Sequence, residues 1–98
     1  MTTEQQFEYI GRYTVAKKDV QRLVAQRHAL AGNLSVLLQR ASLVNSSAVT
    51  VDRIYTLDAA AAEAKLKELI DINTQLEMAI DEMNRYADAA GESPAKRI

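Results

Sequence analysis

The chain has no cysteine and no tryptophan, one histidine, one proline and three glycines in 98 residues. Each scarcity removes a class of chemistry. Without cysteine there is no disulfide framework, no thiolate nucleophile and no thiolate metal ligand. A lone histidine leaves zinc short of its preferred ligands, and the Glu-x-x-His pairs of di-iron bundles do not occur. His28 has no nucleophile or orienting carboxylate singled out for it. Glu77, Asp81 and Glu82 make an acidic patch without the loop spacing of an EF-hand, so they read as a solvated helix face. No catalytic residue, no cofactor and no metal are expected, which makes the chain a non-enzymatic protein.

Long apolar runs are also missing. Nothing approaches the ~18 uninterrupted apolar residues of a membrane span. The first residues, MTTEQQFEYIGRY, lack the basic region and apolar stretch of a secretory signal. The expected setting is the cytoplasm, with no membrane partner. Charge of one sign is scarce too: 12 basic residues face 13 acidic ones, for a formal net charge of −1. That balance argues neither for nor against a polyanionic partner.

What remains is helix. Apolar residues make up 48% of the chain, enough for one small domain with a modest core. From Leu57 to Ala90, positions 59, 62, 66, 69, 73, 76, 80, 83, 87 and 90 step by threes and fours, the seam of a helix that packs lengthwise on another. Asn73 is the one polar residue in it. A second seam runs Tyr9, Tyr13, Ala16, Val20, Leu23, Arg27, Leu30, Leu34, Leu37, Ala41 and Val44. Ile10, Val24, Ala31 and Leu38 flank it and widen the stripe to that of a bundle helix. Gly11 and Gly32 each cost about 1 kcal/mol relative to alanine. Both lie off the seam, whose phase passes Gly32 unchanged, so a continuous helix is expected rather than a break there.

The spacing predicts helix one over about 3–44, a link over about 45–56, helix two over about 57–90 and a frayed tail over 91–98. Thr3 and Gln6 form a capping box at the start. Asn45, Ser46 and Ser47 end the first helix. The link admits either a short extended piece through Val49, Val51 and Tyr55 or an early start capped by Thr50. Thr56 is the other candidate cap for helix two, and Gly91 followed by Pro94 stops it. Two such helices fold back as an antiparallel hairpin, an all-α domain spanning 1–98 with coiled-coil character. Helix one carries a net +3 over 3–44 and helix two a net −5 over 57–90, which favours pairing unlike helices.

A hairpin turning near residue 50 pairs positions whose numbers add to about 100. Leu34 then meets Leu66, Val20 meets Ile80, and Arg27 falls beside Asn73 with Glu77 one turn away. These three form a polar core layer that sets register and oligomer state; a cation so placed also suits a bound carboxylate or phosphate. Phe7, Tyr9, Tyr13 and Tyr86 gather at the open end, either as its plug or as a contact for another protein. Two helices hide one stripe each, and here there is more. Ile10, Val24, Leu38, Ile70 and Ile72 are left for an oligomer interface, most simply a homodimer forming a four-helix bundle. The function read from this is a protein–protein interaction or adaptor module acting as a homo-oligomer, with an unidentified protein as a second class of partner. The alternative is a nucleic-acid-binding accessory protein using Arg12, Lys17, Lys18 and Arg22; the opposing charge of helix two disfavours it.

Overall fold

The computed structural model describes residues 2–42 and 55–98. Two helices account for most of them: α1 over Thr3–Ser42 and α2 over Ala59–Ala87. They run antiparallel, since Arg12 reaches Tyr86 while Arg27 reaches Asn73. The result is an all-α hairpin measuring 75 × 22 × 15 Å. α1 alone, at 40 residues, spans about 60 Å at 1.5 Å per residue. Among the described residues no helix is long and apolar enough to cross a membrane.

α1 is continuous through Gly11 and Gly32. A methyl group added at either glycine would meet nothing within 4 Å, so neither is needed for close packing. The capping box exists one residue earlier than expected. Thr2 Oγ1 accepts from the Gln5 amide at 3.2 Å, and Gln5 Oε1 accepts from the Thr2 amide at 3.0 Å. Two adjacent threonines followed by two glutamines satisfy the same pattern in either frame. The expected link readings at Val49, Thr50 and Val51, and the last two residues of the expected first helix, lie outside the described residues.

Residues 55–58 are not helical, and Asp58, not Thr56, caps α2 by accepting from the Ala61 amide at 3.0 Å. The carboxylate at this position also complements the helix dipole. At the other end Gly91 has φ +71°. The Glu92 amide donates to the Ala87 carbonyl and the Gly91 amide to that of Asp88. This paired closure is a Schellman motif, which needs a left-handed residue where Gly91 stands.

The core is a single line of side chains. Ala16 and Leu23 of α1 are buried, with Leu76, Met83, Tyr86 and Ala87 of α2. The α2 seam is rotated from the expected one. Leu66 and Asn73 are exposed, while Ile72 is half-buried and Tyr86 buried. The apolar stripe on α2 is wider than one line, so two rotations present a seam to α1. The observed one turns Ile72 and Tyr86 inward and leaves the Asn73 amide wet, which avoids its desolvation.

The tail is not frayed. Beyond the Gly91 turn it doubles back along α2. Asn84 Oδ1 accepts from the Ala95 amide at 2.8 Å and its Nδ2 donates to the Ala95 carbonyl at 3.1 Å. Two residues on, Arg97 donates to Glu77 Oε2 at 2.5 Å and to Asp81 Oδ1 at 2.6 Å. Residues 92–98 thus form a strap held at two points.

Candidate interaction surface

The α1 residues Ile10, Lys17, Val24, Ala31 and Leu38 recur every seven positions and share one flank of the helix. On α2 the facing flank carries Leu66, Ile70 and Asn73, then Glu77, Asp81 and Asn84, in steps of three and four. Together these rows make one broad side of the hairpin. Its middle holds an open groove of about 590 Å³, lined by Val24, Arg27, His28, Ala31, Leu69, Ile70, Asn73 and Thr74. A further hollow continues from Ala31 past Leu34 and Leu38 to Ser42.

Arg27 Nη1 donates to Asn73 Oδ1 at 3.0 Å. The two polar seam residues therefore do meet, but Arg27 is half-buried and Asn73 exposed. Their pair sits in the groove wall and not in a sealed layer. Glu77 is not its third member, because its carboxylate is taken by Arg97. The arginine is held charged above its ordinary pKa, by Glu77 first and then by Asp81. Glu77 lies one turn along the same flank from Asn73, and the returning chain brings Arg97 to it there.

The apolar rows are open to solvent. Ile70 is 58% exposed, Leu38 50%, Val24 42% and Ile10 36%. Ile72 does not belong with them. It lines a hollow with Gln26, Ala29, Leu30, Glu68 and Asp71 on the other broad side. That side also carries a groove walled by Glu8, Arg12, Asp19 and Glu82 around Gly11, Val15, Ala16 and Ala79. The first side is apolar toward Leu38 and charged toward the strap, where Glu77, Asp81 and Arg97 meet; the second carries charged residues at the rims of its groove.

The aromatic residues divide. Tyr9 and Tyr86 stack with ring centroids 5.5 Å apart and planes at 25°. Arg12 lies over the Tyr86 ring and donates to its hydroxyl at 3.0 Å. Tyr13 is half-buried nearby along the seam. These groups close the open end, whereas Phe7 is 69% exposed and stands apart from the stack. The Arg12 pKa is raised, first by the Tyr86 hydroxyl and then by Glu8.

Arg12, Lys17, Lys18 and Arg22, the basic residues expected to serve nucleic-acid binding, do not form one patch. Arg12 is turned to Tyr86 and Glu8, and Arg22 is paired with Asp19 at 2.9 Å. Lys17 lies on the opposite flank from both, by the 100° step of the helix. His28 is exposed on the groove wall, and the Thr74 hydroxyl across from it is bonded to the Ile70 carbonyl. Among the described residues no cluster of three or more histidine or acidic side chains is placed to hold a metal ion.

The strap residues Asn84, Ala95 and Arg97 were not legible as a site. The available signal was the row Glu77, Asp81 and Asn84 on one flank, followed by a left-handed turn and a short basic segment. No known protein family, characterised protein or solved structure matches the chain.

Proposed function

We propose that the chain is a non-enzymatic interaction module that works as a homo-oligomeric helical bundle. The observation that supports this reading is the exposed apolar row formed by Ile10, Val24, Leu38 and Ile70 on one broad side. Full burial of a side chain of this size contributes about 1.5–3 kcal/mol. A single hairpin has no third layer to cover the row, and a second hairpin supplies one, giving the four-helix arrangement in which such rows become core. Two-fold pairing is the simplest closed form. Residence in the cytoplasm belongs to the same reading, because a cysteine-free bundle draws nothing from an oxidising compartment.

Light scattering on the purified protein across a dilution series tests it. The expected mass is about twice that of the 10.9 kDa chain, falling toward one chain on dilution. A well-folded monomer at every micromolar concentration would remove the homo-oligomer from the reading.

A further inference from the structure

We propose that the strap, residues 92–98, competes with α1 of a second copy for the same flank of α2, and so sets how much of the hairpin is open to self-association. The inference rests on the homo-oligomer reading and adds to it an orientation and a control.

The orientation comes from charge. Over its observed span α1 has six basic and three acidic side chains, a net +3, and α2 has three basic and six acidic, a net −3. Two hairpins packed through their apolar sides have two symmetric choices. A two-fold axis across the helices lays α1 on α1 and α2 on α2. An axis along the helices lays each α1 on the partner's α2. Only the second sets the basic run from Lys17 to Arg27 level with the acidic residues between Asp71 and Glu82 of the partner's α2.

That choice also fixes levels, because an axis along the helices keeps residues at their own heights. Within one chain, contacts join positions whose numbers add to 98–100, as in Arg12 with Tyr86 and Arg27 with Asn73. Between copies the same rule sets Lys17 opposite residues 81–83 of the partner. Lys17 is exposed, shares its row with Val24 and Leu38, and has no ion-pair partner among the described residues. The acceptor it would meet is Asp81. In the single hairpin that carboxylate is already bridged, with Glu77, by Arg97. The strap thus places a cation of its own chain where a second copy would bring Lys17.

The strap is also easy to displace. Arg97 is 44% exposed and Asp81 71% exposed, and ion pairs so open to water hold weakly. Ile98 beyond them is fully exposed and adds no buried anchor. With the strap closed, the apolar half of the side, from Val24 and Asn73 toward Leu38 and Leu66, is the part left open. With it released, the flank through Glu77, Asp81 and Asn84 joins it.

Sedimentation velocity on the full chain tests this with Arg97→Ala and, independently, Asn84→Ala, each checked for unchanged helix content. Either variant frees the flank, and the dimer is expected to tighten at least tenfold. Adding Lys17→Glu to Arg97→Ala should remove that gain. If both strap variants dimerise with the affinity of the unaltered protein, the competition is overturned while the homo-oligomer stands. A gain that survives Lys17→Glu overturns the assignment of α1 as competitor. Monomers throughout, strap open or closed, overturn the inference and the homo-oligomer together.

Discussion

Asn84 holds both polar groups of the Ala95 backbone, accepting its N–H at 2.8 Å and donating to its carbonyl at 3.1 Å. One side chain thereby does for a single residue what a neighbouring strand does in a sheet. It also helps place the returning chain, whose Arg97 then meets Glu77 and Asp81.

Asn84→Ala is therefore expected to free the strap without disturbing the helices. Two hydrogen bonds with a net contribution of about 1 kcal/mol each at most are lost. Exchange of the Ala95 amide should accelerate about tenfold or more, and trypsin should cut faster after Lys96 and Arg97. Unchanged exchange at Ala95 would show that Asn84 does not hold the segment.

Core truncation should separate buried from exposed leucines. Leu23 and Leu76 are 2% and 1% exposed, so replacing either with alanine should cost about 2–5 kcal/mol in a urea titration. Leu66 is 46% exposed, and Leu66→Ala should cost under about 1 kcal/mol in dilute samples. At concentrations where the dimer forms, its cost should grow. Equal losses at positions 23 and 66 at all concentrations would contradict the burial pattern.

The glycines should respond with opposite signs. Gly32 lies inside α1 with open space around it, so Gly32→Ala should stabilise by up to about 1 kcal/mol. Gly91 also has open space, but at φ +71°. There Gly91→Ala should destabilise by about 1–2 kcal/mol through backbone strain alone. Urea midpoints for the two variants should move in opposite directions.

Arg27→Leu removes the hydrogen bond to Asn73 from a half-exposed site. No buried charge is stranded, so stability should stay within about 0.5 kcal/mol or rise. The effect belongs in assembly, as altered dimer affinity or a mixture of states in sedimentation. A loss above about 2 kcal/mol with assembly intact would mean that the pair is structural.

The hairpin was legible because its signals repeat. Steps of three and four persist along both helices, and ten or more agreeing positions fix that two long helices pair lengthwise and at which level. That is why Arg27 and Asn73 could be set at one level from numbering alone. The rotation of α2 was not legible. Ile72 and Asn73 both border the stripe, and which of them turns inward depends on α1 side chains across the seam. The α1 cap slipped by one because Thr2 and Thr3 precede Gln5 and Gln6 in equivalent frames. The strap escaped for a different reason. Its contacts join residues 11 to 20 positions apart through one asparagine and one arginine, and such isolated pairings carry no period.

At 15 Å in its thinnest dimension, the hairpin is a lath one helix thick. Every core side chain has a broad surface on each side of it, so the two broad sides share one interior. Cover laid on one side dries the same leucines that the other side leaves near water. A companion docked on the apolar side would therefore stiffen the charged side as well, and hydrogen exchange at Gln26 and Asp71 would register an event on the far side of the lath.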